Sequence, residues 1–145
     1  MKDYPWGKGT PTWTRDATAN DSDKSFTVPA GKLWEMRGIH VLISNSATVG
    51  NRALQVRVAP DGVNYITLGN GGNVAASATG ALIGSFAGCG DDSTILINGV
   101  SNAQVLPMMP MILPAGAIIR VLDATAVDAA ADDMTVVLHY VEYDA

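Results

Sequence analysis

The side chains best able to hold a hard cation are two adjacent aspartate pairs, Asp91-Asp92 and Asp132-Asp133, with Asp123 and Asp128 close by in the chain. Calcium needs about six to eight oxygen ligands in one loop. No D-x-D-x-D-G pattern supplies them here, and neighbouring aspartates at strand ends are ordinarily solvated turns, so no metal is expected. His40 and His139 sit within apolar stretches and could meet in space, but two imidazoles without a third ligand make neither a zinc site nor a proton relay. Cys89 lies among small residues, Ala87-Gly88-Cys89-Gly90-Asp91, with no neighbour that would depress its pKa. A G-x-S-x-G elbow, a P-loop and a paired-cysteine motif are all lacking. The expectation is a chain with no catalytic residues and no cofactor, which is not an enzyme.

Large side chains that could bind a partner are more conspicuous. Tyr4, Trp6 and Trp13 fall in a segment that otherwise has little to build a core from, with Lys8 and Arg15 beside the tryptophans. Burying one such aromatic removes about 150–250 Å² from water, and aromatic anchors dominate many interfaces. Tyr4, Trp6, Trp13 and Arg15 are therefore candidate contacts to a partner, the alternative being that the segment folds back over its own domain. A second candidate is Leu106-Pro107-Met108-Met109-Pro110-Met111, where two prolines exclude a central strand and methionine adapts to irregular surfaces. Met108, Met109 and Met111 could form a subunit contact or a connector lying on the core.

These residues must be carried by an all-β framework. The 145 residues are the length of one domain, 48% hydrophobic and only 16% charged, too apolar for a disordered chain. A net charge of −5 without a basic cluster argues against direct binding of nucleic acid. The single cysteine asks for no oxidising compartment. The first residues lack the apolar run of a secretory signal and no stretch reaches membrane-span length, so a soluble chain with no membrane partner is expected.

Residues 1–24, rich in Pro, Gly and polar side chains, read as an extended, irregular N-terminal arm. Residues 25–145 read as an antiparallel β-sandwich, with short Val, Ile and Leu stretches broken by turn residues about every ten positions. Strands are expected at Leu33 to Ile43, Arg52 to Val58, Tyr65 to Leu68, Leu82 to Phe86, Thr94 to Ile97, Ala117 to Leu122 and Met134 to Tyr143. In Leu33 to Ile43 the apolar residues fall on both parities. Residues 44–51 are short enough to close a hairpin between the first two of these strands, and 59–63 make a tight turn. Residues 69–80, mostly Gly, Asn, Ala, Ser and Thr, read as a long surface loop, and 124–131 as another.

One turn occurs twice: Val28-Pro29-Ala30-Gly31 and Leu113-Pro114-Ala115-Gly116 each precede a strand that carries an arginine, Arg37 or Arg120. With Lys32-Leu33-Trp34-Glu35, Ser46-Ala47-Thr48-Val49-Gly50-Asn51-Arg52 and the closing aliphatic strand, these motifs resemble structural proteins of tailed-bacteriophage virions, specifically capsid decoration or cement proteins. The resemblance covers residues 25–145 and implies a jelly-roll-like sandwich, a homotrimer, and the major capsid protein as partner. It also implies synthesis in the host cytoplasm, residence on the outer surface of the phage head, and a role in bridging and stabilising capsid subunits. A tail or fibre component is the alternative within virions, and a carbohydrate-binding module the alternative outside them.

Overall fold

The computed structural model describes residues 8–20, 23–50, 52–85, 102–107, 109–125, 128 and 131–145. Ten strands and no helix are present among them: β1 (Thr10–Asn20), β2 (Lys24–Thr27), β3 (Lys32–Ser44), β4 (Arg52–Ala59), β5 (Ile66–Val74), β6 (Thr79–Ser85), β7 (Asn102–Pro107), β8 (Ile112–Leu113), β9 (Ile118–Asp123) and β10 (Asp133–Asp144). They form two sheets, one ordered β1-β10-β3-β6-β7 with β8 beside the start of β3, the other β2-β9-β4-β5. All described pairings are antiparallel except β6 with β7. The architecture is the all-β sandwich expected from the turn rhythm.

The core lies between the sheets. Ile39, Val41, Ile43, Met134, Val136 and Leu138 from one sheet meet Leu54, Val56, Val58, Ile119 and Val121 from the other, all at 3% exposure or less. Each such side chain stabilises the fold by about 1.5–3 kcal/mol relative to leaving it in water. Trp34 stacks on Tyr140, ring centroids 4.1 Å apart, and donates its indole N–H to Glu142 at 3.0 Å. Thr14 in β1 hydrogen-bonds the Tyr140 hydroxyl at 2.9 Å, which ties the edge strand to this aromatic pair.

The mixed parity of β3 has a local cause. Its register with β10 shifts between His139 and Tyr140, so that Gly38 faces His139 and Met36 faces Tyr140, leaving Arg37 unpaired as a bulge. One extra residue exchanges the faces. Trp34 and Met36 point inward before it, and Ile39, Val41 and Ile43 after it.

Three expectations about the elements are corrected. Residues 44–51 do not close a hairpin, because β3 and β4 belong to different sheets and the loop crosses between them. Residues 69–80 are not one long loop: β5 runs on to Val74 and β6 begins at Thr79, leaving only four residues between. Backbone pairing with β4 holds this glycine-rich stretch, as in Val56 with Gly69 and Gln55 with Asn70, while the buried Val74 anchors its end. Residues 10–20, read as part of the irregular arm, form β1 along β10. The strand expected at Thr94 to Ile97, Cys89 and the Asp91-Asp92 pair fall outside the described residues.

The repeated turn is one structure used twice at one end of the sandwich. Lys32 N–H bonds the Pro29 carbonyl at 3.2 Å and Ala117 N–H bonds that of Pro114 at 3.0 Å, with Gly31 and Gly116 at φ 73° and 83° in equivalent positions. These are turns that require the left-handed conformation at their third residue, which glycine adopts without strain. The two turns also face each other: Val28 N–H donates to Ala117 and Gly116 N–H donates to Val28, both at 2.9 Å.

Candidate docking surface

Strand β1 is the edge of the larger sheet, paired with β10 on one side and, among the described residues, with nothing on the other. Pro11, which has no N–H to give a ladder, is tolerated in such a position. Trp13 lies opposite His139 and Arg15 opposite Val137. Directly opposed residues share a face, and Val136 and Leu138, the neighbours of Val137 in β10, point into the core. Trp13 and Arg15 therefore project from the outer face of the sheet, away from the core.

The rows continue across the sheet. Beyond His139 comes Gly38 in β3, and beyond Val137 comes His40, with Leu42 opposite Thr135 in the next row. This face thus collects an indole, a guanidinium, two imidazoles and partly exposed aliphatic groups. Trp13 is 65% exposed, whereas Trp34, also on a strand, is 4% exposed. Aromatic and arginine side chains in such a setting are the types that supply most of the energy of protein interfaces. Burial pushes the His40 imidazole below its ordinary value, and the charge of neighbouring His139 adds to the effect. The two histidines lie diagonally to each other across the β10–β3 pairing.

The other candidates separate. Met109 is 81% exposed, while Met111 is partly buried against the core and its carbonyl accepts the Met36 N–H at 3.0 Å, the position of a connector. Tyr4, Trp6 and Met108 lie outside the described residues.

The aspartates considered for calcium have other partners. Asp132 is wholly buried and takes two hydrogen bonds from Arg52, Nε to Oδ2 at 2.8 Å and Nη2 to Oδ1 at 3.1 Å, and one from the Ser46 N–H at 2.7 Å. Asp128 accepts from the Ser46 and Thr48 hydroxyls at 2.8 and 2.6 Å. Asp123 accepts the Ala53 N–H at 2.9 Å and the Thr125 N–H at 3.1 Å. Among the described residues no three His, Cys, Asp or Glu side chains converge as metal ligands. The chemistry of this end is structural: Arg52 stands as an internal cation joining Ser46, Thr48 and Gly50 to Asp132, and its buried role left no signal in the sequence beyond one arginine opening a strand.

No protein-family model matches the sequence, and no curated protein matches it. Among solved structures, one of Desmodium yellow mottle tymovirus is similar over 100% of this chain and 93% of its own, at 9% identity and a TM-score of 0.29. The Gx strain of infectious bursal disease virus follows at 10% identity and a TM-score of 0.30, over 95% of this chain and 38% of that one. The VP2 subviral particle of the same virus has 14% identity and a TM-score of 0.28, over 92% of this chain and 37% of that one. Superpositions this loose assign no function.

Proposed function

We propose that this chain is a capsid decoration protein of a tailed phage, which binds the outside of the assembled head and stabilises it by bridging neighbouring subunits of the major capsid protein. The observation that carries the reading is Trp13, largely exposed on the outer face of an edge strand, with Arg15 and His139 beside it and His40 farther across the same face. The turn and loop motifs that resemble cement proteins support it independently. Self-association as a homotrimer belongs to the same proposal, with Met109 as a candidate contact.

Its work is mechanical. A protein that binds only the assembled shell stabilises that state by mass action, and contacts made to several subunits at once raise the effective strength of each. Catalysis plays no part in this role. Co-sedimentation of the full chain with mature and immature phage heads tests it. Saturable binding to mature heads is expected, and absence of binding to either form would overturn the proposal.

A further inference from the structure

The outer face of the smaller sheet carries an arrangement that the shell-binding proposal does not use. In the pairing of β4 with β9, Arg57 lies directly opposite Arg120. Their strand neighbours Val56, Val58, Ile119 and Val121 fill the core, so both arginines project outward. Opposed residues have Cβ atoms about 4.5–5.5 Å apart, and like charges so placed repel. A sheet with no use for the pair would be more stable without one of them.

Each guanidinium is held in place. Arg57 donates through Nε and Nη2 to Gln55 Oε1, at 3.1 and 2.6 Å, an acceptor that fixes the fork without offsetting its charge. No carboxylate of the described residues lies within ion-pair distance of Arg57, whereas Arg37 and Arg52 are paired with Glu35 and Asp132. Arg120 pairs with Asp23, and its guanidinium carbon sits 5.7 Å from the ring centroid of Tyr65, itself 38% exposed. Asp23 offsets one of the two charges and leaves the other uncompensated.

We propose that Arg57 and Arg120, flanked by Tyr65, form a recognition site for a single exposed carboxylate side chain of a partner protein. Guanidinium forks match the planar carboxylate, forming paired charge-assisted hydrogen bonds. The residual charge fits a single carboxylate. A polyanion, whether nucleic acid or a strongly acidic protein, would be repelled by the −5 net charge of the whole chain. The site is on the opposite sheet from Trp13, so the two surfaces can be tested apart.

The test is an NMR titration of the arginine Nε–Hε signals of the full chain with a short, otherwise neutral peptide carrying one Glu, its Gln counterpart, and inorganic phosphate at matched ionic strength. The Glu peptide should shift the Arg57 and Arg120 signals together and saturably, and the Gln peptide should leave them in place. Arg57→Gln should weaken binding roughly two- to fivefold, the range of an exposed ion pair, with an unchanged backbone spectrum. Arg120→Lys, which keeps the charge but loses the fork, should weaken it as well. Shifts absent with the Glu peptide, or as large with phosphate, would overturn the assignment.

Discussion

Arg52 and Asp132, eighty positions apart in the chain, are both wholly buried and joined by two hydrogen bonds of 2.8 and 3.1 Å. The remaining N–H groups of the guanidinium are taken up by the Thr48 and Gly50 carbonyls at 2.7 and 2.9 Å and by the Ser46 hydroxyl at 3.1 Å. A buried pair so completely satisfied adds little net stability over an apolar pair of the same volume, but breaking it strands a charge in the core. It therefore fixes which loops meet at this end of the sandwich.

Arg52→Met and Asp132→Leu should each lower the unfolding free energy by about 3–5 kcal/mol, because each leaves its partner buried and unpaired. The double substitution should cost markedly less than the sum of the two. Urea unfolding of the four proteins measures the coupling, and additive effects would mean that the pair does not act as a unit.

Asp61 in the β4–β5 turn accepts the N–H groups of Asn64 and Val63 and the Asn64 side chain, which hold its carboxyl down to about 2. For Asp132, burial alone would raise the pKa, but the hydrogen bonds from Arg52 and Ser46 outweigh it and hold the group below the ordinary value. The Thr48 and Ser46 hydroxyls do the same for Asp128. Each carboxylate binds its proton less readily in the folded chain than in the unfolded one, so the stability it contributes is complete at neutral pH. That contribution is lost as the pH falls from roughly 4 through the folded values. The carboxylates should leave the thermal midpoint unchanged above roughly pH 5 and make it drop steeply below roughly 4, on top of the gentler decline that His40 sets from roughly pH 6.5. Asp61→Asn, exposed in its turn, should fold normally and show a shallower drop.

His40 shifts in the same direction for a different reason. Burial and His139 disfavour its charged form, so the folded chain takes up this proton less readily than the unfolded chain, and stability declines as pH falls below roughly 6.5. In an NMR titration the His40 ring should change protonation below 6.5. His139→Gln should raise that value only part of the way back, since burial is the larger cause.

Much of the framework was legible because the inward residues of β4, β9 and β10 alternate cleanly with outward ones. β1 was not legible because its pattern is inverted. Thr12, Thr14 and Asp16 lie opposite the inward residues Tyr140, Leu138 and Val136, while Trp13 faces water, so a strand read from its apolar parity looks irregular. The hairpin expected at 44–51 failed because both flanking strands show an apolar inner face, and alternation cannot say whether two such faces share a sheet or oppose each other across a core. Trp13 and Arg15 were singled out by residue type alone. Their placement on one outward face depends on pairing with β10, across more than a hundred residues.

Gly31→Ala and Gly116→Ala should each cost about 1–2 kcal/mol, the strain of a side chain in the left-handed region, since an added Cβ meets nothing within 4 Å at either position. Gly62→Ala should cost more. Its φ is 76° and its Cβ would come within 2.8 Å of the Gly116 carbonyl oxygen, where the backbone itself must move. Comparing the thermal midpoints of the three variants checks the order.

The most direct test of the proposed role is the binding of wild type and Trp13→Ala to mature phage heads, measured beside the unfolding midpoint of each. Trp13 is mostly exposed, so its loss should leave the midpoint within about 0.5 kcal/mol of wild type. Occupancy of the heads should nevertheless fall steeply. Equal occupancy of the two proteins would contradict docking through the β1 face, and no occupancy by wild type would contradict the decoration role itself.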